Sequence, residues 1–170
     1  MDSETEVEYA EIRGDAGISP SKALALRILG SRSMSFREIE KRLIGKGESE
    51  ETARQTAQWL EDIGAIDDKE FAESIVRHYS SKGYGLARIK DELYKRGIDR
   101  EMWEEALESL EGMEDAAYDF IVKKLKGDYG KDELRRVSDA LLRRGFSYEE
   151  TRAAVKKYIE TIEETKDAEL

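Results

Sequence analysis

The stretch Asp67-Asp68-Lys69-Glu70-Phe71-Ala72 separates two copies of one sequence pattern. Either aspartate can accept hydrogen bonds from the unpaired N–H groups that open a helix, because Asp is a preferred N-cap residue. The Phe-Ala pair begins an apolar face that continues at three- and four-residue steps to Tyr79. The stretch therefore predicts a helix start at a repeat boundary. A metal-binding or catalytic role for the two aspartates is the less favoured alternative.

The composition of the 170-residue chain favours a helical protein. Charged residues make up 40% of the chain and apolar residues 39%, which is too apolar for a disordered chain. A single proline, Pro20, and long Ala/Glu/Lys/Leu/Arg-rich runs favour helices. The absence of cysteine excludes disulfides and a thiol nucleophile. Because no long apolar run or signal-peptide core is present, we expect a cytoplasmic protein with no membrane association.

The charge is unevenly distributed along the chain. The net charge of −10 argues against a protein that coats nucleic acid by overall charge. Residues 1–21 contain six acidic residues and one arginine, a net of −5. Residues 118–159 contain eleven Lys/Arg and seven Asp/Glu, a net of +4. The net charge of the whole chain thus conceals a basic C-terminal third. The acidic N-terminal segment predicts a flexible tail, in which residues 7–12 could form a short strand.

Three glycines mark a tandem repeat. Gly47, Gly97 and Gly145 are spaced 50 and 48 residues apart, and a basic residue precedes each of them. Apolar residues occupy the same two positions before each glycine: Ile39 and Leu43, Ile89 and Leu93, Val137 and Leu141. A unit of about 45 residues buries little surface alone, so neighbouring units must share apolar surface. Gly47 is expected at the left-handed position that ends its helix.

We predict an all-α fold of three tandem three-helix repeats that form an elongated, curved helical ribbon. Helix starts are predicted at Ser19-Pro20 and at the capping box Ser35-x-x-Glu38. The predicted divisions are a flexible acidic tail at 1–18, repeats at 19–66, 67–112 and 113–162, and a fraying polar C-terminal tail at 163–170. Such a ribbon offers a long binding face instead of a deep pocket.

No catalytic set can be assembled from the sequence. His78 is the only histidine, and a lone histidine on a helix is usually structural or solvated. Gly83-Tyr84-Gly85 is too short for a phosphate loop and is better explained as a turn. We therefore predict that the protein is not an enzyme and binds no cofactor or metal.

Basic residues of the third repeat form the candidate partner- or DNA-binding surface. Arg136 and Arg143 are seven residues apart and share one helix face, and arginine pairs can hold phosphate in a bidentate manner. A solvated face, in which cations offset helix dipoles, is the favoured alternative. Tyr84, between two glycines, is a candidate exposed aromatic. The basic candidates are Lys123, Lys124, Lys126, Arg135, Arg136, Arg143, Arg144, Arg152 and Lys156.

The central stretch resembles the signature of the RecX family of recombinase regulators. The similar segments are residues 65–72, Gly83-Tyr84-Gly85, Arg88-Ile89, Glu92-Leu93 and Arg96-Gly97-Ile98, with Ser35, Glu38-Ile39, Leu43 and Lys46-Gly47 in the first repeat. The resemblance covers about residues 22–158, and the third repeat matches mainly in pattern. The motif positions expected to be structural are Asp67, Asp68, Phe71, Ala72, Gly83, Gly85, Ile89, Leu93 and Gly97.

The resemblance implies a non-enzymatic regulator of RecA in recombination, DNA repair and the SOS response. Family members bind the RecA–DNA filament along its groove and reduce ATP hydrolysis, strand exchange or filament growth. We expect RecA and its DNA filament as partners, weak binding to single- or double-stranded DNA, and a monomeric protein. The net charge shifts the expected contacts toward RecA itself. The alternative is a helical nucleic-acid-binding module that acts through the third repeat, which a steep salt dependence would identify.

Overall fold

A computed structural model describes residues 18–108, 110, 113–127 and 129–168, and every regular element in these ranges is an α-helix. The all-α prediction is confirmed. The predicted acidic tail, including the short strand considered at 7–12, lies outside the described residues except for Ile18. The helices are α1 Pro20–Leu29, α2 Phe36–Gly45, α3 Glu50–Asp62, α4 Asp68–Ser81, α5 Leu86–Lys95, α6 Glu101–Glu108, α7 Met113–Leu125, α8 Lys131–Arg143 and α9 Tyr148–Ala168.

Side-chain caps begin three helices at the predicted positions. The Ser19 hydroxyl accepts a hydrogen bond from the Lys22 amide at 3.3 Å and starts α1. Ser35 and Glu38 form a reciprocal capping box at the start of α2. The Asp67 carboxylate accepts from the Glu70 amide at 2.9 Å and starts α4. These caps join residues three apart, which is why the sequence alone predicts them.

The repeat glycines adopt the left-handed conformation that ends a helix. Gly47, Gly97 and Gly145 have φ angles of +101°, +69° and +88°. The Gly47 amide donates to the Ile44 carbonyl at 2.9 Å, which closes the end of α2. The predicted role of Gly47 is confirmed, and the two repeat-related glycines share it.

The chain divides into two compact units, and the boundary lies within α4. One unit contains the described residues up to Phe71 together with Arg96–Ile98. Helices α1, α2 and α3 pack on one another there, around the buried residues Ala25, Met34, Ile39, Leu43, Ala53, Ala57, Leu60 and Ile66. The predicted repeat boundaries at 66/67 and 112/113 remain predictions.

The other unit contains Ala72–Lys95 and the described residues from Asp99 onward. Helices α7, α8 and α9 pack on one another in this unit. Their core consists of Ala117, Ile121, Val137, Leu141, Phe146, Ala154 and Tyr158. The Tyr158 hydroxyl, although buried, accepts a hydrogen bond from the Gly127 amide at 2.8 Å, so its burial leaves no unpaired polar group.

Each unit contains a similar contact, here called a joint, between the residue that opens a helix and the carbonyl of the arginine before a repeat glycine. In the first unit the Ser35 hydroxyl donates to the Arg96 carbonyl, and the Arg96 guanidinium lies 3.4 Å from the Glu38 carboxylate. In the second unit the Gly85 amide donates to the Arg144 carbonyl at 2.9 Å. Each joint therefore places an Arg-Gly turn against the N-terminus of a helix that lies about 60 residues earlier in the chain.

Phe71, which begins the apolar face predicted for this helix, is half-buried. Phe71→Ala should therefore cost less than about 3 kcal/mol, the low end for a fully buried phenylalanine. Helix α9 continues to Ala168, and fraying from residue 163 remains a prediction. Near this end of the helix, the Lys166 Nζ lies 3.2 Å from the Tyr129 hydroxyl and 4.5 Å from the centre of that ring.

Candidate nucleic-acid interface

A basic groove of about 520 Å³ lies between the end of α4 and helix α7. Four cationic side chains line it: Lys82 after α4, Lys123 and Lys124 in α7, and Arg144 after α8. The described lining residues include one carboxylate, Asp119. With four cations against one anion, the lining of the groove has a net positive charge although the chain as a whole is acidic.

Arg144 is held in this groove by both polar and aromatic contacts. Its Nη1 donates to the carbonyl oxygens of Lys82 at 3.0 Å and Gly83 at 3.2 Å. Its guanidinium carbon lies 4.6 Å from the centre of the Phe120 ring and 5.0 Å from that of Tyr84. Because the two carbonyls follow the end of α4, the cation also offsets the negative end of the helix dipole. Arg144 thus serves a structural purpose and adds positive charge to the groove.

The local backbone explains how Arg144 reaches this position. The Gly85 amide donates to the Arg144 carbonyl at 2.9 Å, and the Ala87 amide donates to the Gly145 carbonyl at 3.1 Å. A Cβ atom on Gly85 would overlap the Gly145 carbonyl, and one on Gly145 would lie 2.5 Å from the Arg88 amide nitrogen. Glycine at both positions therefore lets the start of α5 pack on the turn after α8. Gly83-Tyr84-Gly85 is a turn, as predicted.

A second groove, of about 310 Å³, lies between α7 and α8. Phe120 and Lys124 line both grooves, and Arg136 adds a cation to the second. Arg136 is 80% exposed, and its Nη1 lies 3.8 Å from the Glu133 carboxylate, a weak surface contact that leaves the cation available. The two grooves thus place cations on either side of one aromatic ring. Positive grooves with aromatic side chains are typical of sites that bind single-stranded nucleic acid.

The structure brings together four of the nine basic candidates. Lys123, Lys124, Arg136 and Arg144 line the two grooves. The other five are exposed but line neither groove: Lys126, Arg135, Arg143, Arg152 and Lys156. For all nine residues, binding remains a prediction.

Tyr84 is half-buried, which corrects the expectation of an exposed aromatic. Its ring centre lies 5.5 Å from that of Tyr79 and 5.0 Å from the Arg144 guanidinium. Stacking against a cation and a second ring covers much of the side chain. Tyr84 therefore supports the position of Arg144 at this site.

Lys82 and Phe120 line the groove but were not among the residues predicted from the sequence. Lys82 directly precedes a glycine, as do the basic residues before the three repeat glycines, and this pattern could have identified it. Phe120 belongs to an apolar helical stripe, and no sequence signal distinguishes it from a core residue.

Lys157 is a basic residue whose charge is paired with a carboxylate of this chain. Its Nζ donates to the Asp115 carboxylate at 2.7 Å and joins α9 to α7. This hydrogen bond, together with the negative charge of Asp115, raises the pKa of Lys157 above its ordinary value. The ammonium group remains charged but is engaged by an acid that competes with any phosphate.

The family-motif residues make structural contacts. The Asp68 carboxylate accepts a hydrogen bond from the Phe36 amide at 2.8 Å, at the first residue of α2. Ala72, Ile89 and Leu93 are fully buried. These contacts support the structural role expected for the motif. Within the described ranges, no group of three or more His, Cys, Asp or Glu side chains is placed to hold a metal ion, and no helix there has the length and apolarity to cross a membrane.

Comparison with known proteins gives a consistent result. Residues 67–107 match the family model "RecX, second three-helix domain". The chain is 34% identical over 136 residues to Regulatory protein RecX of Stenotrophomonas maltophilia (strain R551-3), covering 78% of this chain and 83% of that protein. It is 35% identical, with the same coverage, to Regulatory protein RecX of Xanthomonas axonopodis pv. citri (strain 306).

The fold agrees with solved structures as well. The crystal structure of RecX from Lactobacillus salivarius matches with a TM-score of 0.70 and 25% identity, over 81% of this chain and 94% of that chain. A further crystal structure of regulatory protein RecX matches with a TM-score of 0.65 over 92% of this chain and, at 19% identity, supports the fold alone. The identity and the coverage together show that this chain belongs to the RecX family of regulatory proteins.

Proposed function

We propose that this protein binds RecA or the RecA–DNA filament and inhibits its ATPase activity, filament growth and strand exchange. The observation that carries the proposal is the identity of 34–35% over 78% of the chain with proteins named Regulatory protein RecX. A protein of this kind acts by binding one state of its partner more tightly than another, because a ligand shifts an equilibrium only through differential affinity.

The structure supports a binding mode made of several modest contacts. The basic grooves offer shallow surfaces that suit a macromolecule, and the predicted sequence repeats would offer related surfaces along one chain. When several weak contacts are joined in one molecule, each later contact forms at a high effective concentration. Repeated weak contacts therefore give a filament-bound regulator useful affinity without a deep pocket.

The test is a RecA ATPase assay on single-stranded DNA, titrated with the full chain below one copy per RecA subunit. We expect inhibition at these substoichiometric amounts, with little binding to bare DNA in a parallel assay. Unchanged ATPase activity, together with no detectable binding to RecA filaments, would overturn the proposal.

A nucleic-acid-binding module is the second candidate function, and the basic groove is the observation that favours it. Lys82, Lys123, Lys124 and Arg144 present four cations around about 520 Å³. Each phosphate contact to a single strand contributes about −0.7 to the slope of log affinity against log salt, so four contacts give a slope of about −3.

The grooves can be tested by comparing two double variants that each remove two positive charges. Lys123→Gln with Lys124→Gln should weaken binding to bare single-stranded DNA and make the slope shallower by about 1.4. Arg152→Gln with Lys156→Gln removes the same charge from exposed positions of α9 outside both grooves and should leave the slope nearly unchanged. If the wild-type chain does not bind bare DNA, the second candidate fails while the first still stands.

A further inference from the structure

One position of the repeat carries an exposed large apolar residue in all three copies. Ile44, Tyr94 and Leu142 each lie three residues before a repeat glycine. Their exposed fractions are 40%, 68% and 42%. The other exposed large apolar residues in the described part occupy four different positions relative to these glycines: Leu26, Ile63, Val122 and Tyr148.

The fold does not explain this recurrence. In each copy the preceding residue is a leucine that is fully buried and supplies the core contact of the helix: Leu43, Leu93 and Leu141. The next residue points about 100° away around the helix and keeps 40–68% of its surface exposed, so burial alone does not account for a large apolar side chain there. A single exposed apolar residue needs no explanation. Recurrence at one position in three copies points to a shared contact.

The charges beside this position recur as well. Within seven positions on its own helix, Ile44 has three basic and two acidic residues, Tyr94 has three basic and two acidic, and Leu142 has three basic and one acidic. Each apolar residue therefore lies on a helix segment with a net charge of +1 or +2, in a chain whose net charge is −10. The complementary surface is an apolar depression with an acidic rim.

We propose that Ile44, Tyr94 and Leu142 are equivalent anchor residues, each of which inserts into the same acidic-rimmed apolar depression on a different subunit of a polymeric protein. Three copies of one contact on a single chain call for three copies of the complementary surface, and a homopolymer supplies them. The inference rests on the proposed function, in which that polymer is the RecA filament. To that function it adds the residues of this protein that would contact RecA and the kind of surface they would contact. None of the three residues lines the basic grooves.

The proposal predicts a difference between polymer and single subunit. One anchor alone gives a weak contact, whereas joined anchors add through effective concentration. The full chain should therefore bind RecA filaments much more tightly than it binds monomeric RecA. Each anchor should contribute to filament binding, and Tyr94, the most exposed of the three, should contribute most because tyrosine is enriched among dominant interface residues.

The experiment measures binding of full-length variants to RecA filaments on single-stranded DNA and to monomeric RecA. Tyr94→Ser should weaken filament binding about tenfold, and the triple variant Ile44→Ser, Tyr94→Ser, Leu142→Ser should abolish measurable binding. Tyr148→Ser is the matched control because Tyr148 is 70% exposed but lies outside the repeated position. All replaced side chains are exposed, and unchanged circular dichroism will verify folding.

The outcomes separate the two proposals. If the wild-type chain does not bind filaments, the proposed function fails. If the wild-type chain and the folded triple variant bind filaments equally well, the anchor proposal fails while the proposed function stands. Equal weakening by Tyr148→Ser and Tyr94→Ser would also overturn the anchors, because it would show general apolar adhesion instead of a positional contact.

Discussion

Glycine at position 85 is required by a contact and not by its own backbone angles. The start of α5 lies against the turn at Gly145 so closely that a Cβ atom on Gly85 would overlap a carbonyl oxygen. Gly45, the last residue of α2, presents the opposite case, because no atom lies within 4 Å of a Cβ placed there. A side chain would clash at Gly85 but would fit at Gly45. The sequence alone does not show this difference between the two glycines.

Gly85→Ala should lower the free energy of unfolding by about 1–3 kcal/mol, because the backbone that the methyl group meets cannot move aside cheaply. Gly45→Ala should raise it by about 0.4–1 kcal/mol, since alanine reduces the entropy of the unfolded chain without a clash. Urea denaturation of both variants is the measurement. Equal and small effects at the two positions would contradict the close approach at Gly85.

Arg144→Gln should lower the free energy of unfolding by about 1–2 kcal/mol. The change removes two charge-assisted hydrogen bonds and two cation–ring contacts, and partial exposure reduces their value. Arg143→Gln is the control, because Arg143 is an exposed neighbour outside both grooves, and its effect should stay within about 0.5 kcal/mol. The same urea series would refute the role of Arg144 if both variants unfold alike.

The start of α2 shows how a local signal acquires a tertiary role. Ser35 caps its own helix by accepting from the Glu38 amide at 3.1 Å, and its hydroxyl also donates to the Arg96 carbonyl. The next amide, that of Phe36, donates to the Asp68 carboxylate at 2.8 Å. The start of α2 is therefore bonded to two distant segments, at Asp68 and Arg96. The sequence predicts only the local cap.

Ser35→Ala should lower the free energy of unfolding by about 2 kcal/mol. About half comes from the lost cap and the rest from the Arg96 carbonyl, which loses its donor in a partly buried place. Ser49→Ala is the matched control: Ser49 caps α3 by accepting from the Thr52 amide at 3.1 Å but is exposed. We expect a cost of about 0.5–1 kcal/mol there. Thermal or urea unfolding that ranks the two variants equally would remove the tertiary role of Ser35.

The described part of the chain divides into two compact units, each with a buried cluster of its own, although the sequence pattern is threefold. Leu60 belongs to the cluster of the first unit and Leu141 to that of the second, and both are fully buried. The sequence period reports how helices recur along the chain. It does not report how many of them pack into one unit, because that depends on contacts between distant residues.

Leu60→Ala and Leu141→Ala should each cost about 2–5 kcal/mol, because each leaves a cavity in a close-packed cluster. Amide hydrogen exchange should rise mainly in the unit that carries the substitution, since local openings follow local stability. Mass spectrometry of peptides from both units is the measurement. An identical rise throughout the chain for both variants would show that the clusters unfold as one.

Much of the fold could be predicted from sequence, and the site only in part. The helix starts at Ser19, Ser35 and Asp67 were predictable because a cap requires only residues about three positions apart. The basic third of the chain was equally visible in the charge count. Which cations converge was not predictable, since four of nine candidates meet in the grooves and Lys82 joins them from the turn after α4.

The amino-acid sequence alone determined the helices, their ends and the repeat period, because these depend on hydrogen bonds and apolar spacing within a few residues. The tertiary structure decided that Arg144 caps α4, that Asp68 receives the amide of Phe36, and that Tyr84 is covered. Each of these contacts joins residues 32 to 62 positions apart. Such contacts exist only once whole helices have packed, and at Gly85 that packing depends on the absence of one methyl group.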